Sequence, residues 1–368
     1  MKRRKFLTGT AAAAALGAPA LARAQGPIQL RFQSSWPAKS LFHEYVRDFA
    51  RKVNDMTGGD VRIEVLAEGS VAPPAGLLDA VSKGALDGAH GLLHFHYGRH
   101  PAFALWAAGP AFGMDANLLL AWHRYGGGRE LLAQLYAAIG ANVVSYPYGP
   151  MPTQPLGWFG KPIARAQDFR GLRFGTVGMA IEVFAGLGAK AEALAPGEAA
   201  AAMGRGALDG AEFNNAASDT ELGLPAAAKA YMLQSYHQSA EQFEILLNKT
   251  KFEALPSKMR AILENAAEAA SADMAWKAVD RYSAAHARLL EGGGVRMLKT
   301  PDAVLQRQLA AYDAVARKRR DVALFREIQE SQRRFAQRAV RWQLDTQVSP
   351  RLAYGHYFGV KRAPRRKR

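Results

Sequence analysis

The sequence predicts an α/β protein of two lobes, and three observations carry that expectation. Roughly 340 residues follow a short N-terminal leader, more than one hydrophobic core usually serves. The first stretch after the leader reads strand, helix, strand, the unit from which parallel sheets are built. A ten-residue pattern, Ala80-Val-Ser-Lys-Gly-Ala-Leu-Asp-Gly-Ala89, returns as Ala202-Met-Gly-Arg-Gly-Ala-Leu-Asp-Gly-Ala211, so one helix-to-strand turn is used twice.

The leader comes first. Lys2-Arg3-Arg4-Lys5-Phe6-Leu7 is a basic run, residues 8–20 are almost wholly Ala, Gly and Leu, and Ala22-Arg23-Ala24 offers small residues for cleavage. A charged start, an apolar stretch well short of the roughly 20 residues that cross a bilayer, and an A-x-A end describe an export signal over residues 1–24. The paired arginines point to the twin-arginine route. The mature chain is therefore expected in the periplasm, exported and soluble. It has no cysteine, so no disulfide or thiolate site exists.

Residues 28–34 alternate apolar and polar, a strand pattern. Ser40 is placed to cap a helix whose Phe42, Val46, Phe49, Val53 and Met56 share one face. Gly58-Gly59 stops that helix, and Val61, Ile63 and Val65 alternate as a second strand. Each copy of the repeat ends a helix at a glycine suited to a left-handed cap and turns into a strand. The first delivers His90 at its end and the second Glu212. Further strands are expected near 141–148, 157–163 and 171–176. Gly178 then opens a helix with Ile181, Phe184 and Leu187 inward, its N-terminus facing the edge where open α/β sheets bind ligands. Residues 244–248 read as a return strand. Ser257 starts a long helix to about Glu291, Thr300-Pro301-Asp302 is a cap followed by a first-turn proline and acid, and a last helix over about 321–344 carries Phe325, Ile328, Phe335 and Trp342. The organisation is then lobe I over 25–148 plus about 235–275, lobe II over 149–234, a helical segment over 276–360 and a basic tail over 361–368.

The net charge of +16 suggests nucleic acid and does not support it. Five positive charges lie in the leader and six in the acid-free tail, which leaves +5 for the body. With an export signal in front of it, such a body is not a nucleic-acid binder. The tail is either a solvated end or a contact for an anionic membrane surface.

Seven stretches, in this order, resemble one family: Gln33-Ser-Ser-Trp36, Leu77-Leu-Asp-Ala-Val-Ser-Lys-Gly84, His100-Pro-Ala-Phe-Ala104, Tyr125-Gly-Gly-Gly128, Gln154-Pro-Leu-Gly-Trp-Phe159, Asp168-Phe-Arg-Gly-Leu172 and Leu208-Asp-Gly-Ala-Glu212. The chain is similar to the extracytoplasmic solute-binding proteins of TRAP transporters, the DctP type, within the branch that takes 2-oxo or 2-hydroxy acids together with a cation. The resemblance runs from about residue 33 to 270. It implies a type II-like periplasmic-binding-protein fold, no enzymatic activity, and delivery of a small organic acid or related ligand to the subunits of a membrane permease. It also implies a cation site at Gln154, Glu212, the carbonyl of Phe213 and a second acid, for which the matching position is Gln238. All-oxygen donors of this kind suit Na⁺ or Ca²⁺.

Two departures stand out. The arginine that clamps the ligand carboxylate in the family falls at Gly175 here, and the second acid falls at Gln238. Losing one positive and one negative group together implies a less acidic ligand with weak or no cation dependence. Arg173, two residues before Gly175, is either a substitute anchor or a plain surface charge. His90, His94, His96 and His100 crowd into eleven residues. The resemblance makes His94, Phe95, His96 and Tyr97 ligand contacts. The alternatives are surface histidines, or a transition-metal site and with it a metal-dependent enzyme. Trp36 and Trp158 are pocket wall or lobe core, and Asn214 a ligand contact or loop residue. Similarity to the family implies a homodimer through the amphipathic stretch 325–342. A ligand-binding sensor of the same fold is the other reading of the whole chain.

Overall fold

The computed structural model describes residues 26–194 and 196–359; the leader through residue 25 and the basic tail lie outside the described residues. The strands are β1 (Ile28–Ser34), β2 (Val61–Leu66), β3 (Gly88–Leu92), β4 (Val143–Pro150), β5 (Gly157–Phe159), β6 (Arg173–Gly175), β7 (Lys190–Glu192), β8 (Gly210–Ala211), β9 (Ala230–Leu233), β10 (Gln242–Asn248) and β11 (Arg296–Lys299). The helices are α1 (Leu41–Met56), α2 (Leu77–Ser82), α3 (Ala116–Tyr125), α4 (Gly128–Ala138), α5 (Met179–Gly186), α6 (Ala199–Gly204), α7 (Ala216–Glu221), α8 (Leu224–Ala227), α9 (Lys249–Ala254), α10 (Ser257–Glu291), α11 (Asp302–Arg317), α12 (Ala323–Thr346) and α13 (Pro350–Phe358).

They form two sheets. The first runs β2-β1-β3-β10-β4, with β1 parallel to β2 and β3, and β10 antiparallel to β3 and β4. The second runs β11-β9-β5-β8-β6-β7. The chain passes from the first to the second between β4 and β5 and returns between β9 and β10. One lobe forms around each sheet, as the bulk and the repeat require.

Ser40 does cap α1, its hydroxyl accepting from the Phe42 amide at 3.2 Å. Phe42, Val46, Phe49 and Val53 are buried against β1 and the long α10, while Met56, the last helical residue, is exposed. The caps further on differ from expectation. Pro256 and Pro301, not Ser257 and Thr300, hold the N-cap positions of α10 and α11. The Thr300 hydroxyl instead donates to the Leu233 carbonyl at 2.7 Å, which fixes β11 alongside β9. In α12, Phe325, Ile328 and Phe335 are buried, but Trp342 faces out, beyond the reach of the lobe beneath.

The repeat is structural. In both copies a glycine with positive φ, Gly84 at +79° and Gly206 at +69°, follows the helix. In both, the next two amides donate to one helical carbonyl, that of Ala80 or Ala202. Each copy's aspartate then brackets the parallel strand beside its own, β1 or β6. Asp87 accepts from the Arg31 amide and donates its own to the Arg31 carbonyl; Asp209 does the same with Arg173.

Candidate functional site

A cavity of about 930 Å³ lies between the two sheets. It is lined from the first lobe by the β1 end, the residues after β3 and the start of β10, and from the second by the loops after β6 and β8. Strand ends converge here because every α-to-β turn of the fold points its following strand toward the cleft.

Of the residues singled out above, Trp36, His94, Phe95, Gln154, Glu212, Phe213, Asn214 and Gln238 line this cavity. Four others do not. His96 is buried and bonded to Glu244, which also accepts from the hydroxyls of Tyr136 (2.5 Å) and Ser145 (2.8 Å). Tyr97 points to the far side of the lobe contact, where its hydroxyl donates to Glu182 at 2.5 Å and meets Arg319. Trp158 is core: it stacks on Tyr231 at 4.2 Å and donates its indole N–H to Asp219 at 2.8 Å. Arg173 stays half-exposed on the outer end of β6, forked onto Asp209 at 2.7 and 3.0 Å. It is the counterpart of Arg31 in the other lobe, committed to the repeat rather than to a ligand.

The histidines do not converge on a metal. His90 Nε2 pairs with the Tyr148 hydroxyl at 2.6 Å, and burial holds its pKa well below the ordinary value, so it is neutral. His94 pairs with Glu241, His96 with Glu244, and His100 accepts from the Ala102 amide. Four rings with four partners give no shared point for an ion. Among the described residues no group of three or more His, Asp and Glu side chains is disposed to hold one.

Sequence reasoning missed Glu241. It is 1% exposed and lines the cavity floor. Its Oε1 takes His94 Nδ1 at 2.5 Å and Gln238 Nε2 at 3.1 Å, and its Oε2 takes Gln154 Nε2 at 2.6 Å. Glu241 thus places an acid three residues after Gln238, just before β10, and the Gln238 amide donates to it. The signal was present in Gln238-Ser-Ala-Glu241, since an acid entering a buried strand needs a compensating partner.

Glu212 faces the same space. Its Oε1 accepts from the Thr176 hydroxyl at 2.8 Å, and its Oε2 lies 3.9 Å from His237 Nε2. The loop that carries it and Phe213 is pinned by Asp219. That side chain accepts from the Asn214 and Asn215 amides at 3.1 and 3.2 Å as well as from Trp158. Burial, with Glu212 nearby, pushes the Asp219 carboxyl up to about 7 against the pull of those three donors. Asn215 caps α7, while Asn214 turns its amide toward Met151 and Asn215.

Three buried lining atoms have no partner: Gln154 Oε1, Gln238 Oε1 and Ser35 Oγ. Two carboxylates and two free amide oxygens around one space are a hard-cation donor set, and they fit Na⁺ or Ca²⁺ far better than a transition metal. Lys39, Glu68 and Glu221 stand at the exposed rim. The interior lining contains no lysine or arginine.

Comparison with known proteins agrees with this fold. The family model described as bacterial extracellular solute-binding protein, family 7 (DctP), matches residues 32–320. A monocarboxylate 2-oxoacid-binding periplasmic protein from Nostoc is 28% identical over 326 residues, 88% of each chain. A TRAP transporter solute-binding protein from Bordetella bronchiseptica, a mixed-occupancy dimer with calcium and picolinate in one site, superposes with a TM-score of 0.82 at 26% identity, over 90% of this chain and 97% of that one. One from Colwellia psychrerythraea, with bound calcium and pyruvate, gives 0.82 at 25% identity, over 90% and 100%. Fold, cleft and match along most of the sequence coincide, and the chain belongs to the DctP family of bacterial extracellular solute-binding proteins.

Proposed function

We propose that this chain is the periplasmic receptor of a TRAP-type transporter, that it holds a small organic acid through a bound Na⁺ or Ca²⁺, and that it works as a homodimer handing its ligand to membrane permease subunits. The observation that carries the cation is that Glu212 and Glu241 line the same cavity as the free oxygens of Gln154 and Gln238, with no lysine or arginine in its interior lining. Two buried carboxylates repel a third unless a positive charge intervenes. When bound, the cation supplies that charge. The chain's own groups do the rest. His94, Gln154 and Gln238 fix the Glu241 carboxylate, Thr176 fixes Glu212, Asp219 fixes the backbone at Phe213, and Ser35 offers a hydroxyl to the ligand. Glu241 offers an acid in place of the one missing at Gln238, which supports cation assistance over the weak or absent dependence expected from that position.

The stretch 325–342, expected to form the dimer, buries Phe325, Ile328 and Phe335 within its own chain, so the dimer is placed instead on α13 and α10. Leu352, Tyr354, Tyr357 and Phe358 on α13 are each about two-thirds exposed or more, as are Trp276 and Val279 on α10. Apolar surface of this extent on a terminal helix marks an interface.

The test is thermal unfolding with a panel of 2-oxo and 2-hydroxy monocarboxylates, each with Ca²⁺, with Na⁺ and with chelator. Ligand at about a thousand times its dissociation constant adds about 4 kcal/mol of stability, several degrees for lobes of this size. The expected result is stabilisation by an acid only when a cation is present. Stabilisation undiminished by chelator sinks the cation role. No response to any carboxylate, from protein first unfolded and refolded to strip bound ligand, sinks the organic-acid reading.

A further inference from the structure

The segment by which the chain returns to the first lobe carries one buried group that the cleft has not used. His237 is 0% exposed, its ring packed on Phe184 at 5.4 Å between centroids and its carbonyl accepting from the Gly109 amide at 2.6 Å. Its Nε2 has no hydrogen-bond partner and lies 3.9 Å from Glu212 Oε2, the oxygen that Thr176 does not hold.

The groups behind the ring decide which nitrogen carries hydrogen. The Tyr236 amide, which can only donate, meets Gln308 Oε1 at 3.0 Å and so fixes which end of that side chain is oxygen. Gln308 Nε2 then donates to the Ser235 hydroxyl oxygen at 2.9 Å, and the His237 amide donates to it at 3.3 Å. Both lone pairs of that oxygen are taken. Its contact with His237 Nδ1 at 2.6 Å is therefore the hydroxyl donating, since Gln308 Oε1, 3.2 Å away, already has the Tyr236 amide. Nδ1 accepts, and the hydrogen sits on Nε2, beside Glu212.

We infer that His237 is a positioning residue of the cleft: Gln308 and Ser235 hold its imidazole as the Nε2–H tautomer, and that N–H fixes the free oxygen of Glu212 once a cation is bound. This rests on the cation-assisted reading for the part Glu212 plays. It adds Gln308 on α11, a residue of the C-terminal helices, to the groups that set the site. An imidazole with hydrogen on Nε2 alone carries no charge, so it orients the carboxylate and leaves the charge for the cation, which a lysine or arginine would cancel. A buried donor without a partner is costly, and Glu212 Oε2 stands beside this one. The present 3.9 Å is longer than a hydrogen bond, and a carboxylate turning toward a cation has about 1 Å to close.

The tautomer is read on the unaltered chain by two-bond proton–nitrogen NMR correlations of its histidine rings, the His237 signals being assigned by their loss in His237→Phe. The expected spectrum shows hydrogen on Nε2 alone, and Ser235→Ala is expected to release the ring to a mixture of tautomers. Hydrogen on Nδ1, or on both nitrogens, overturns the inference. The positioning role is read by isothermal titration with Ca²⁺, alone and with pyruvate. His237→Phe keeps a ring against Phe184 and lacks the donor, whereas His237→Gln keeps an amide donor near the place of Nε2. The first is expected to weaken Ca²⁺ uptake about tenfold or more and the second less than about threefold. Equal losses in the two variants, or no loss in His237→Phe, overturn the role. An unaltered chain that takes up no Ca²⁺ in either titration overturns the cation-assisted reading and, with it, the role of His237 in the cleft, while the tautomer stands or falls on its own spectrum.

Discussion

Single residues decide what this cleft can hold, and Asp219 shows how. It touches no ligand, yet it receives both amides of the loop that presents Glu212 and Phe213 to the cleft. Its carboxyl is protonated more readily folded than unfolded, at about 7 against an ordinary 3.8. A group with a raised acidic pKa binds an extra proton only in the folded chain, so its contribution to stability falls as pH rises from 3.8 to about 7 and is level above. Buried His123, lowered to about 3 by burial and nearby arginines, has the opposite slope. The difference between wild type and Asp219→Asn therefore isolates the aspartate. Denaturant unfolding from pH 5 to 8 is expected to show that difference changing by about 3 kcal/mol, since each tenfold change in proton activity between pH 5 and 7 is worth about 1.4 kcal/mol. A difference constant with pH would mean that Asp219 stays ionised. Glu241 is the other residue of this kind. Sequence position pointed to Gln238, because similarity by register cannot see that a buried acid three residues on faces the same cavity. Glu241→Gln is expected to cost at least a hundredfold in cation-dependent ligand affinity by titration, since His94 and Gln154 are then left facing an amide.

At the scale of elements, most of the first lobe was legible. The period-two pattern of β1 and β2, the Ser40 cap and the apolar face of α1 all act locally, and local physics wrote them into neighbouring residues. The recurrence of Ala-Leu-Asp-Gly-Ala was legible too, although its purpose was not. Only the fold shows that Asp87 and Asp209 grip the backbone of Arg31 and Arg173 in the same way, and that Asp209 also forks the Arg173 guanidinium, which is why Arg173 is unavailable to a ligand. The strand β11 escaped notice because Arg296-Met-Leu-Lys299 is too short to alternate convincingly, and it depends on β9 for its pairing. The left-handed glycines of the repeat carry a measurable load. Gly206 has open space around it, so Gly206→Ala tests backbone conformation alone and is expected to cost about 1 kcal/mol. Gly157→Ala should cost considerably more. Its φ is +129°, and a β-carbon there would stand 2.6 Å from the Ala211 carbonyl oxygen. Chemical denaturation of the two variants side by side checks the ranking.

The whole molecule has a surface its own lobes do not use. The apolar residues of α13 and those at Trp276 and Val279 are expected to meet across a two-fold axis, each chain covering the other's exposed helix. Light scattering should find a dimer at micromolar concentration, and a chain ending at Gln347 should run as a monomer that still binds ligand. A monomeric full-length protein would leave the exposed aromatics without that partner. The helix α10 has a mechanical meaning as well. It is 35 residues long, about 50 Å at the usual rise. Its first half is sunk into the first lobe through Leu263, Ala266 and Ala270, and Ala285 near its end sits in the core of the second. A single rod clamped at both ends behaves as a leaf spring across the hinge. Parting the lobes would have to bend it or slide one lobe along it.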